Sequence, residues 1–389
     1  MNLFFAAFLC FLSLATGATA QILTGADQVN SYLPMLKGQK VGIIANQTAE
    51  IEGVHLVDSL KRSGVDIVRV FGPEHGFRGN ASAGQRVHSD TDPETGIPVV
   101  SLYGKHKKPR PEELQDLDIL IFDIQDVGAR FYTYISTMSL AMEAAAEQGI
   151  PFWVLDRPNP NGHYVDGPVL EPSCSSFVGM HPVPVVHGMT VGEYAQMVKG
   201  EGWIKQSEAL DLRVFACKNY THSSFYELPV PPSPNLPNMT SIYLYPSVCF
   251  FEGTKVSVGR GTDLPFQWVG YPGLDGNLSK TPISIPGVAD KPKYQNQSCG
   301  GYDLRKFGME YIRNLNGIYL LWLEDLYQRY EPKSEFFIAS FFDKLTGNHW
   351  VREAIIKGTD LDTIRARWMP DVLAFKIIRK QYLIYPDFE

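Results

Sequence analysis

Basic residues are the minority charge in this chain: 35 Lys and Arg stand against 42 Asp and Glu, a formal net charge of -7. Phosphate binding needs clustered Lys and Arg, so nucleic acid is not an expected partner. The densest basic run, Lys105-His106-Lys107-Lys108, is too short to alter that and reads as a solvated turn. Cysteine is scarce, five in 389 residues, and no Cys-x-x-Cys pair offers a zinc signature. Beyond the N-terminus no apolar run approaches the roughly 20 residues of a membrane span. The first strand is not followed by GxGxxG, and GxxxxGK[ST] is missing, which removes the dinucleotide and phosphate-loop fingerprints. The run Lys255-Val256-Ser257-Val258-Gly259 lacks the first glycine of a nucleophile elbow, against an α/β-hydrolase. His88 to Glu94 spaces several oxygen ligands but has no glycine where an EF-hand loop needs one. No metal and no cofactor is expected.

What remains is ordinary globular composition, 44% hydrophobic and 12% aromatic. The length suits about two domains with a sizeable core. Residues 3 to 17 are almost wholly apolar and uncharged, and Ala18-Thr19-Ala20 supplies a small-x-small cleavage pattern. Residues 1–20 are read as a secretory signal, with the mature chain starting near Gln21 and working outside the cytoplasm, in the periplasm or medium of a bacterium. Four cysteines are left: Cys174, Cys217, Cys249 and Cys299. Two disulfides and four separate buried thiols both stay open.

Residues 21–235 alternate strand and helix. Apolar runs at 40–46, 66–71, 99–102, 118–124, 151–156 and 212–216 read as strands. Helices are expected at 55–63, 111–117, 133–148 and 191–199, with Gly64 and Gly149 closing two of them. That alternation predicts a Rossmann-like parallel sheet covered on both faces. Five prolines in Pro229 to Pro237 break the pattern and read as the domain border. Residues 236–389 are expected to form a smaller α+β domain, with helices at 241–251, 302–314, 320–330, 343–357 and 372–382. The active site is expected in the cleft between the two.

Ligands of open parallel sheets bind beyond the carboxyl ends of the strands. That rule selects Asn46 from the first strand and Phe71 to Gly79 (FGPEHGFRG) from the second. It selects Asp123 to Tyr134 (DIQDVGARFYTY) from the fourth, and Asp156, Arg157 and Asn159 from the fifth. The second-strand loop places an acid, an imidazole and a guanidinium between glycines that let backbone approach a ligand closely. Tyr132 and Tyr134 beside acids and amides suit a sugar, whose ring face stacks while its hydroxyls hydrogen-bond. One of the two tyrosines is expected to be core.

These blocks, with DRPNP at 156–160, VHGMTVGE at 186–193, SPNLP at 233–237 and FEGTKVSVGRGT at 251–262, resemble the NamZ-type exo-β-N-acetylmuramidases. That is a family of bacterial peptidoglycan-sugar hydrolases, glycoside hydrolase family 171, formerly a domain of unknown function. The resemblance implies removal of N-acetylmuramic acid from the non-reducing end of short cell-wall fragments. It implies Glu74, in the PEHG motif, as the catalytic glutamate, with the GRGT block on the opposite wall. In one departure, Ala49 stands where the resemblance calls for glycine.

Glycoside hydrolysis normally uses two carboxyl groups. With Glu74 as acid, the second is expected to be Asp126, Asp123 or Glu252, in falling order; the acetamido group of the substrate is a further possible nucleophile. Asn46, His75, Arg78, Asp123, Arg130, Tyr132, Tyr134, Arg157, Asn159 and Arg260 are expected to line the substrate site. An arginine should read the lactyl carboxylate, Arg78 or Arg260 before Arg130 or Arg157. Two rivals are an exported sugar-binding protein without activity and a metal-dependent hydrolase built on His75, Asp123 and Asp126.

Overall fold

The computed structural model describes residues 20–78, 90–307 and 309–389. The cleavage signal up to Thr19, the Gly79 end of the second-strand loop and the first part of the 88–94 segment lie outside the described residues.

Six parallel strands form the body of the sheet: β1 Lys40–Ala45, β2 Asp66–Gly72, β3 Pro98–Ser101, β4 Ile119–Asp123, β5 Phe152–Leu155 and β6 Leu212–Phe215. They lie in the order β3-β2-β1-β4-β5-β6, and the two-residue Asp90–Thr91 strand adds antiparallel to β3. This is the doubly wound order, whose direction reverses between β1 and β4. β1, β4 and β5 are buried almost throughout, which is why they are continuous apolar runs. Helix α1 (Leu56–Arg62) follows the first strand and α2 (Tyr134–Gln148) follows β4. Gly149 ends α2 at φ 67°, in the left-handed region expected of a C-terminal glycine. Helix α3 (Val191–Gly200) starts on a capping box between Thr190 and Glu193.

The C-terminal half opens with α4 (Met239–Val248), capped by Asn238. A three-stranded antiparallel sheet follows: β7 Trp268–Tyr271, β8 Leu278–Lys280 and β9 Cys299–Asp303, with β9 central. The helix expected over 302–314 is therefore a strand followed by a short helix, Met309–Asn314. Gly300 and Gly301 make it so: they lie flat against neighbouring backbone and the Trp268 ring, where a Cβ on Gly301 would sit 2.3 Å from the indole. The helix expected over 343–357 is two, Ala339–Thr346 and Trp350–Ile356, broken at Gly347, φ 79°. The last helix, Leu361–Arg379, runs through Pro370 and begins eleven residues before the expected start at Val372.

One continuous apolar cluster runs from Phe122 and Met138 in the sheet domain to Phe250, Trp322 and Phe375 beyond it. Shared burial of that kind favours a fixed relation between the halves over a hinge. The proline-rich 229–237 segment is more than a linker. The Pro232 carbonyl accepts from Tyr132 Oη at 2.8 Å and Tyr134 Oη at 3.3 Å, which pins the segment across the carboxyl edge of the sheet. Cys174, Cys217, Cys249 and Cys299 are all buried free thiols, with no disulfide among them.

Candidate active site

Glu74 stands at the tip of a tight turn just past β2. Gly76 N–H donates to the Pro73 carbonyl at 2.9 Å, and His75 takes φ 70°, a conformation that is uncommon outside glycine. Backbone held in the left-handed region at a non-glycine residue persists only when its surroundings fix it. Phe77 supplies part of that, buried edge-on against the His55 ring at 4.8 Å. The turn presents Glu74 half-buried, and Thr133 Oγ1 donates to its Oε2 at 3.0 Å.

Glu74 lines a cleft of about 540 Å³ with Tyr103, Lys107, Phe131, Phe177, Tyr245, Glu252, Arg260 and Phe341, among others. That volume falls within the range of small-molecule sites. Both halves of the chain contribute, as the sequence predicted. On the far wall Arg260 Nε lies 3.2 Å from both Glu252 oxygens. Behind them Lys293 Nζ donates to the carbonyls of Phe251, Glu252, Thr254 and Val256 at 2.7–3.2 Å, which fixes the loop carrying Glu252. Burial pushes the Glu252 carboxyl up, but the Arg260 guanidinium and Lys293 ammonium outweigh it and hold it below its ordinary value. Burial in turn pulls the Lys293 amine down to about 8, against the attraction of Glu252. Glu252 is thus ionised at neutral pH, and Glu74 lines the same cleft.

The remaining expectations fare unevenly. Asp126, placed first as the second carboxylate, is 5% exposed and lies outside the residues lining this cleft. Its Oδ1 accepts from Gly128 N–H at 2.7 Å, its Oδ2 has no hydrogen-bond partner, and burial pushes its pKa up to about 7. Asp123 is fully buried under Arg157, with Nε to Oδ1 at 2.5 Å and Nη2 to Oδ2 at 2.8 Å. That bidentate pair ties the two side chains to each other, and neither lines the Glu74 cleft. Arg157 instead borders a separate hollow of about 1080 Å³, lined by Asp27, Glu50, Glu52 and Tyr226 and holding neither Glu74 nor Glu252. Arg130 is buried and donates to the carbonyls of Pro168, Val183 and Leu345, a structural clamp. Asn159 donates to the Met189 carbonyl and accepts from Asn161 N–H. It also packs against Gly128, φ 74°, where a Cβ would meet its side chain at 2.2 Å.

Arg78 turns away from the cleft into a three-carboxylate grip: Asp58 at 3.0 Å, Asp92 at 2.8 Å and Glu94 at 3.5 Å. Tyr132 and Tyr134 are both buried on Pro232, so neither is a stacking platform. Asn46 is fully buried, and its Oδ1 accepts from Thr48 N–H and Oγ1. His75 lies 3.4 Å from Ser233 Oγ. His75, Asp123 and Asp126 do not converge, and among the described residues no three His, Cys, Asp or Glu side chains come together as a metal-binding group. Of the thirteen residues expected, Glu74, Glu252 and Arg260 line the cleft. Lys107, Tyr103, Phe177, Tyr245 and Phe341 were missed, four of them aromatics with no local motif. Lys107 lay in the basic run read as a solvated turn.

Residues 41–240 match the N-terminal domain of the family described as exo-β-N-acetylmuramidase NamZ, and residues 243–385 match its C-terminal domain. The peptidoglycan β-N-acetylmuramidase NamZ of Bacillus subtilis (strain 168) is 41% identical, over 95% of this chain and 93% of its own. Two crystal structures of DUF1343 family proteins from Bacteroides fragilis NCTC 9343 superpose on the fold. One has a TM-score of 0.87 at 48% identity, covering 95% of this chain and 100% of its own. The other has a TM-score of 0.79 at 29% identity, covering 94% and 99%.

Proposed function

The chain belongs to the exo-β-N-acetylmuramidase NamZ family, and from that premise we infer that it is an exo-acting glycosidase releasing N-acetylmuramic acid from the non-reducing end of peptidoglycan fragments. The observation that carries the reading to residues is that Glu74 and Glu252 line one cleft, with Glu252 held ionised.

Cleavage of a glycosidic bond needs a proton on the departing oxygen and negative charge beside the oxocarbenium-like carbon. Glu74 is assigned the proton. Thr133 donates to its Oε2, which leaves Oε1 to carry the hydrogen toward the leaving group. Glu252 is assigned the charge, because Arg260 and Lys293 stabilise its anion. It either activates water or orients the acetamido carbonyl of the substrate. Phe177 and Phe341, both partly exposed, give the cleft apolar faces for sugar rings, while its carboxylates and Tyr103 meet hydroxyls. Asp126 is assigned a supporting place behind the site.

We place the enzyme outside the cytoplasm, on the apolar 3–17 run and Ala18-Thr19-Ala20. The chain is tied to the sheet from Leu23 onward, by paired backbone hydrogen bonds with Lys218 and by Gly25 N–H to the Asp156 carbonyl. Its substrates are taken to be muramic acid glycosides and peptidoglycan disaccharides released from the wall. The test is incubation of purified protein with a chromogenic N-acetylmuramide beside the matching glucosaminide. Release from the muramide alone is expected; binding of both sugars with release from neither would mean a sugar-binding protein.

A further inference from the structure

Resting on the muramidase reading, we propose that Lys107 is the specificity-determining residue that recognises the lactyl carboxylate, the group by which N-acetylmuramic acid differs from N-acetylglucosamine.

Two cations line the Glu74 cleft, Arg260 and Lys107. Arg260 is committed to Glu252. The other arginines that sequence favoured are committed elsewhere: Arg78 to Asp58 and Asp92, and Arg157 to Asp123. Lys107 is half-buried and, among the described residues, has no carboxylate partner. Its Nζ lies 4.1 Å from the centroid of the Phe177 ring. A ring face holds an ammonium in place without neutralising it.

Both supports are built in. Phe177 sits on a turn closed by reciprocal hydrogen bonds between Ser176 and Gly179, at 2.8 and 3.0 Å. Lys107 is flanked by anchored neighbours. His106 Nε2 lies 3.0 Å from Glu113, and Lys108 bridges Glu143 at 2.6 Å and Glu147 at 2.7 Å. The lysines on either side of a solvated turn would be interchangeable; here Lys108 locks the turn to the helix behind it and Lys107 faces the cleft.

Charge in the cleft points the same way. Arg260 is spent on Glu252, so Lys107 is the cation lining the cleft that is left to meet a substrate carboxylate, which a glucosaminide lacks. Ammonium-to-carboxylate hydrogen bonds are among the stronger ones available to a partly buried lysine.

The experiment compares two chromogenic N-acetylmuramides, one with a free lactyl carboxylate and one with that group as the methylamide, on the wild type, Lys107→Met and Lys107→Arg. The wild type should prefer the free acid. Lys107→Met should lower the free-acid to amide ratio of kcat/KM by at least about 10-fold, mostly through KM, and Lys107→Arg should restore most of it. A ratio that Lys107→Met leaves intact, or equal losses on both substrates, overturns the proposal. If the wild type cleaves neither glycoside, the muramidase reading fails. Calorimetric titration of free N-acetylmuramic acid and its methylamide then decides on Lys107 separately: loss of the preference for the acid in Lys107→Met supports the role, and a preserved preference refutes it.

Discussion

Asp126→Asn exchanges a buried carboxyl for a neutral amide of the same shape, and its effect should reverse with pH. The native carboxyl is 5% exposed, its Oδ1 accepts from Gly128 N–H, and burial raises its pKa from 3.8 to about 7. Because the folded state holds the proton more tightly than the unfolded chain, the folded state binds more protons between those two values, and stability falls as pH rises through the interval. The interval spans roughly three pH units, so the loss approaches about 4 kcal/mol by pH 8 as an upper bound. Asparagine keeps the oxygen that Gly128 donates to. It also places an amide NH₂ where Oδ2 now lacks a partner, which costs about 1–3 kcal/mol. The variant should therefore be the less stable protein at pH 5 and equal or better at pH 8.5. Urea denaturation at both pH values and constant ionic strength reads the difference. A stability gap that does not move between pH 5 and 8.5 would show that Asp126 is ionised in the fold throughout, and the account of its burial would be wrong.

Arg260→Met should leave only Lys293 to offset the effect of burial on Glu252, raise its pKa, and move the acid limb of the kcat/KM profile to higher pH; an unmoved limb would take Glu252 out of the pH dependence. Glu252→Gln should cost far more activity than Asp126→Asn, and the reverse order would restore Asp126 as the second carboxylate. Arg78→Ala should destabilise by about 1–3 kcal/mol, since Asp92 is buried and loses its charge partner. Its kcat/KM should change equally on muramide and glucosaminide, and a selective loss on the muramide would return Arg78 to the substrate site.

The sheet was legible because parallel strands buried on both faces are plain apolar runs, and all six strands fall within a residue of those runs at each end. The C-terminal half was harder for physical reasons that act through tertiary contact. The β9 strand carries two glycines with no strand preference and exists because Trp268 packs on them. Gly347 ends a helix where the Arg130 guanidinium occupies the space of a Cβ. The last helix spans Pro370 because Ile364, Trp368, Val372 and Phe375 bury a continuous face. At the site, proximity to a strand end found Glu74 but also drew in Asp123, Arg157 and Arg130. Those polar residues hold the strand ends together, and sequence does not distinguish a charge aimed at a ligand from one aimed at its neighbour. Lys107 was hidden for the converse reason, since a charged turn in solvent and one turned onto a cleft have the same composition.

The central claim is that Glu74 protonates the leaving sugar, and Glu74→Gln tests it most directly when two leaving groups are compared. In a disaccharide of N-acetylmuramic acid on N-acetylglucosamine, the glucosamine would leave as an alkoxide without the proton and so needs it; a nitrophenyl glycoside, whose phenolate is a good leaving group, needs it far less. The account predicts at least about 100-fold loss of kcat on the disaccharide, a smaller loss on the nitrophenyl muramide, and an unchanged fold. Equal losses on both substrates, or a rate within a few-fold of wild type on the disaccharide, would contradict it.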